Sequence, residues 1–85
     1  YRRGNGSSQH DRGQAIDLQF SDCKSRSDYM LRCKELIAML PIDQIIFEQA
    51  GGKTWIHISS KSTGNRNKIT SYDGSKYMSG LVLVA

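Results

Sequence analysis

Long apolar runs are missing from this chain of 85 residues. No stretch approaches the roughly 20 consecutive apolar side chains that a bilayer-spanning helix needs, so no membrane partner is expected. The amino end is polar and shows no signal peptide. Cysteine is scarce: there are two, Cys23 and Cys33, with no CxxC pair and no zinc-finger spacing, which argues against a cysteine-ligated structural module and for two free thiols, a disulfide being open only where the geometry allows it. Histidine is equally scarce, His10 and His57, and proline occurs once, at Pro41. There are no internal repeats and no boundary that suggests a second unit, so residues 1–85 are expected to form one domain. The chain begins with Tyr1 and enters its first motif almost at once, which is expected of a piece of a longer polypeptide.

Positive charge is in modest excess. Twelve Lys and Arg against eight Asp and Glu give a formal +4, which suits an anionic partner such as a bacterial cell wall or nucleic acid. Lys61, Arg66 and Lys68 are the basic residues that a nucleic-acid reading would use, but no recognisable reading motif accompanies them, so no nucleic-acid partner is expected. A hydrophobic content of 38% is low for a globular chain but compatible with one. A chain this short buries a modest core, and a bound metal would add stability.

The periodicity predicts an α+β fold, a small antiparallel sheet packed against one main helix. From Ala15 to Phe20 the pattern alternates, with Ile16, Leu18 and Phe20 on an apolar face and Ala15, Asp17 and Gln19 on a polar one. After a loop over 21–25, Ser25-Arg26-Ser27-Asp28 fits a helix start, with Ser25 or Ser27 as N-cap. Tyr29, Cys33, Leu36, Ile37 and Leu40 then form one helical stripe, and Pro41 ends it. Residues 42–49 and 54–60 read as strands joined by the turn Ala50-Gly51-Gly52-Lys53. On the second of these, Trp55, His57 and Ser59 share a face. If the two strands pair residues whose numbers sum to an odd value, Glu48, Ile46 and Gln44 share that face as well. Residues 61–68 are expected to form a long polar loop, 68–72 a short strand, and 76–78 with 81–84 a last strand broken at Gly80.

Three residues stand out chemically. His10 and Asp17 flank a glycine turn, and His57 lies in a strand beside a tryptophan. Two imidazoles and one carboxylate can fill three corners of a tetrahedral zinc site and leave the fourth for water, the arrangement of a catalytic site. Imidazole nitrogen favours Zn2+ over calcium or magnesium.

These residues resemble a family. Ser8, His10, Gly13, Ala15 and Asp17 match, position for position, the SxHxxGxAxD signature of zinc D-Ala-D-Ala carboxypeptidases and L-alanyl-D-glutamate endopeptidases, which share the Hedgehog/DD-peptidase zinc fold. Asp43-Gln44-Ile45-Ile46-Phe47-Glu48 followed by Trp55-Ile56-His57-Ile58-Ser59 is similar to the second half of the site in the phage-type branch. The resemblance covers about residues 1–60. It implies His10, Asp17 and His57 as zinc ligands, and a zinc-dependent hydrolase whose substrate is the peptide stem of peptidoglycan. Tyr1-Arg2 looks like the family's Tyr-Arg, whose arginine binds substrate or the developing oxyanion. Arg3 competes for that role, and Ser8 and Trp55 would line the substrate. The sequence departs from the family at Thr54, where many members carry an acid three positions before the second histidine ligand. Glu48 is the expected substitute as general base, with Asp43 as second choice. The alternative is a catalytically silent, zinc-containing cell-wall-binding or structural module of a phage tail, in contact with other tail proteins. The implied locations are a phage virion or the bacterial cell wall and periplasm.

Overall fold

The computed structural model describes residues 14–84. Its elements run β1 (Gln14–Leu18), α1 (Arg26–Met39), β2 (Gln44–Ala50), β3 (Lys53–Ser60), β4 (Lys68–Tyr72) and β5 (Tyr77–Ser79). The five strands form one sheet in the order β1-β3-β2-β4-β5. The α+β class agrees with the sequence pattern. The sheet, however, is mixed rather than antiparallel, because β4 lies parallel to the central strand β2.

Ser25 is the N-cap of α1: its hydroxyl accepts from the Asp28 N–H at 3.2 Å, while the Asp28 carboxylate accepts from the Lys24 N–H at 2.8 Å. Ser25 thus serves a donor that the first helical turn leaves without a partner, and Asp28 ties down the residue ahead of the cap. At the other end the Leu40 N–H reaches the Leu36 carbonyl at 3.0 Å. Leu40 itself is extended, as a residue before proline prefers. Tyr29 and Cys33 are buried against Ile45, Phe47, Ile56 and Ile58, with Ile16, Leu18, Leu36 and Ile37 closing the margins. Leu40, expected on the apolar stripe, is instead exposed, because the chain has already left the helix there.

β2 and β3 form a hairpin with a two-residue loop, Ala50 opposite Lys53. Gly51 takes a φ of +62°, a backbone that L side chains rarely adopt. After β3 the chain passes around the start of β2 to reach its far side. Asp43, just ahead of β2, anchors that crossing. Its buried carboxylate accepts from the Arg66 backbone N–H at 3.1 Å and from two guanidinium nitrogens of Arg66 at 3.0 and 2.9 Å, with the Lys61 ammonium 3.6 Å away. The bidentate arginine holds the Asp43 carboxyl well below the usual carboxylate range. Lys61 and Arg66 therefore serve the fold here.

Residues 81–84, expected to be a strand, are not one. They cross the helix-facing side of the sheet, and side chains satisfy their backbone. The Gln49 amide donates to the Val82 carbonyl at 3.0 Å and its oxygen accepts from the Val84 N–H at 2.8 Å. Ser71 Oγ accepts from the Val82 N–H at 2.8 Å, and Arg26 donates to the Val84 carbonyl at 3.1 Å. Gln49 is thus a fully buried polar side chain with both ends of its amide occupied.

Candidate functional site

The sheet has one face packed on α1 and one turned away from it. Strand alternation decides which side chains reach the outer face. Gln44 pairs with Ser59, Ile46 with His57 and Glu48 with Trp55, an odd-sum register that puts Glu48 on the face of His57. β1 flanks β3 on its other side, with Asp17 directly opposite His57 and Ala15 opposite Ser59. On the far side of β2, Ile46 neighbours Thr70 and Glu48 neighbours Tyr72. Thr70 and Tyr72 in turn face Ser79 and Tyr77. The outer face is therefore ruled into rows across the strands. One row reads Asp17, His57, Ile46, Thr70, Ser79, and the next reads Trp55, Glu48, Tyr72, Tyr77.

Asp17, His57 and Glu48 converge where these rows meet. Asp17 Oδ1 lies 2.9 Å from His57 Nδ1, and one ligand-capable atom from each of the three residues falls within 4.8 Å of the others. Asp17 and His57 are cross-strand partners, and Glu48 reaches them diagonally from β2, within the range of a long side chain. Burial pushes the Glu48 carboxyl above its ordinary value. Asp17 pushes in the same direction by like charge, while His57 and a hydrogen bond from Trp55 oppose it. One imidazole nitrogen and two carboxylates within this distance form a possible metal-binding group.

Of the sequence-derived candidates, the fold brings Asp17, His57, Glu48 and Trp55 onto one face. His10, Arg2, Arg3 and Ser8 lie outside the described residues. Thr54 pairs with Gln49 and so projects to the opposite face, toward the start of α1. In a regular strand, an acid at position 54 would also have pointed away from His57. Asp43, the second choice for a base, is committed to Arg66 and does not belong to the cluster.

Sequence reasoning missed Tyr72 and Tyr77. Alternation along 68–72 places Lys68, Thr70 and Tyr72 on one face, but only the parallel pairing of β4 with β2 brings that face beside Glu48. Comparison with protein-family models, with curated proteins and with solved structures finds no match to this chain.

Proposed function

We propose that this chain is a zinc-dependent peptide hydrolase domain acting on the stem peptide of peptidoglycan. The observation that carries the reading is the convergence of Asp17, His57 and Glu48, from three different strands, on the face away from the helix. Support also comes from the SxHxxGxAxD pattern, in which Asp17 is the last position.

Asp17 and His57 would hold the metal, with His10 as the third ligand. Bound zinc supplies a Lewis acid and a water that ionises near neutral pH. The chain's own residues do the rest. Glu48 stands beside the pair as a carboxylate whose proton affinity is raised by its surroundings, the property of a general base meant to work near neutral pH. It takes the proton of the attacking water and returns it to the leaving amine. Trp55, next to Glu48 in its row, gives the carboxylate a hydrogen bond that favours its charged form, against the burial that raises its proton affinity. Asp17 Oδ1 and His57 Nδ1, 2.9 Å apart, are the two atoms that would face a shared ion.

Elemental analysis of the purified chain, with His57→Ala alongside, tests the metal site. A digest of purified peptidoglycan, read by new amino termini, tests turnover. One zinc per chain, lost in His57→Ala, together with new termini supports the reading. Zinc without cleavage would assign the silent cell-wall module instead, and neither zinc nor cleavage would remove both.

A further inference from the structure

The row that holds Glu48 does not stop there. Tyr72 stands beside it on β4 and Tyr77 beside that on β5, the two rings 4.7 Å apart between centroids and tilted by 38°. Tyr77 is 63% exposed, although it lies in a strand and packs on a second aromatic. The pair is also held in place. The Asp73 carboxylate accepts from Ser75 N–H, Ser75 Oγ and Lys76 N–H at 2.8, 3.0 and 2.8 Å, and Asp73 N–H donates to the Lys76 carbonyl. These bonds lock the turn that sets one tyrosine across from the other. A fixed aromatic surface beside a candidate reaction centre is what a substrate subsite needs.

We infer that Tyr72 and Tyr77 form a platform for a pyranose ring of the glycan strand. This rests on the hydrolase reading above. The negative face of an aromatic ring attracts the weakly positive C–H face of a sugar, and a phenol hydroxyl at the rim can bond sugar hydroxyls or an acetamido group. Spacing favours a glycan occupant over the far end of the stem. Adjacent strands lie about 4.8 Å apart, so Tyr72 and Tyr77 stand about 5 and 10 Å from Glu48. The stem hangs from its sugar by one lactyl group, which puts the first peptide bond between two amino acids roughly 7 Å from the ring, counting two extended units. The terminal D-Ala-D-Ala bond lies about five units away, roughly 17 Å. A sugar on the tyrosine pair therefore brings the glycan-proximal amide, not the terminal one, to the cluster.

The experiment compares wild type, Tyr77→Ala and Tyr77→Phe on two substrates, a disaccharide-linked stem peptide and the same peptide without sugar. Binding of an N-acetylglucosamine tetrasaccharide is followed in parallel by NMR. The expected result for Tyr77→Ala is a rise of about tenfold in the KM ratio of glycan-linked to free peptide, with kcat held. Tetrasaccharide binding should weaken in step, and Tyr77→Phe should keep most of both. Equal KM changes on the two substrates would make the pair a peptide subsite and overturn the proposal, as would tetrasaccharide binding that ignores Tyr77→Ala. If wild type cleaves neither substrate yet binds the tetrasaccharide through Tyr77, the hydrolase reading fails while the glycan platform stands.

Discussion

Glu48→Gln separates chemistry from architecture, because it removes a charge and a proton acceptor while keeping the shape. The carboxylate shares its site with Asp17, whose ligand atom lies within 4.8 Å. Two like charges at that separation repel by about 1 kcal/mol where water screens them. The Asp17 side chain is 66% exposed, so the screened value applies. Neutralising Glu48 relieves that repulsion and the burial of a charge, and gives up attraction to His57. The net effect on the fold is small and stabilising, a rise in Tm of about 5 °C or less. A positioned general base contributes about 10²- to 10⁴-fold to rate. Glu48→Gln should thus lose that much kcat on peptidoglycan while melting no lower than wild type and keeping its zinc. Turnover within tenfold of wild type would refute the base assignment. A loss of zinc together with turnover would show that Glu48 is a ligand and that the base lies elsewhere.

The Asp43 carboxyl is held low by Arg66, so the charged form is favoured in the fold. Its contribution is present above the unfolded value of about 3.9 and is lost as pH falls toward the lower native value. An acid titration by circular dichroism should show stability falling below about pH 4, with a shallower fall in Asp43→Asn, which starts from a less stable fold. Gln49→Met removes the two hydrogen bonds that hold residues 82 and 84 at similar volume. A loss of about 1–3 kcal/mol is expected in urea unfolding, with faster amide exchange at Val84; unchanged exchange there would show that the segment is held by its apolar side chains alone. Burial pushes the Cys33 thiol up to about 12. At pH 8, Ellman's reagent should therefore leave Cys33 unmodified in the native chain and reach it only after denaturation. Labelling of Cys33 at the rate of a free thiol would refute its burial.

The local elements were legible because each rests on neighbours in sequence. Ser25 and Asp28 mark the helix start, Pro41 its end, and Gly51-Gly52 the hairpin. Alternation sorted Asp17, Trp55 and His57 onto one face, and the hairpin register decided whether Glu48 joined them. The partner of β4 was not legible. Its parallel pairing depends on Asp43 and Arg66, which lie in different segments and look like ordinary surface charges when read alone. Residues 81–84 alternate like a strand, yet their backbone is satisfied by Gln49, Ser71 and Arg26, and no periodicity encodes bonds from side chains. In the candidate site, cross-strand geometry separates Thr54 from Glu48. Position 54 lies an odd number of residues from His57, so strand alternation turns it to the other face.

The pairing of Asp17 with His57 joins residues 40 apart in sequence, at the edge where β1 meets the sheet. Closing so long a loop costs entropy before any contact forms, so contacts of this kind tend to appear late in folding. The hairpin carrying Glu48 and His57 can form from nearby residues, whereas the third member of the cluster arrives only when the first strand docks on the third. A partly folded chain holds Glu48 and His57 together but not yet Asp17. Completion of the sheet therefore acts as a checkpoint on assembly of the cluster, and any fraying of β1 would take the cluster apart without unfolding the core.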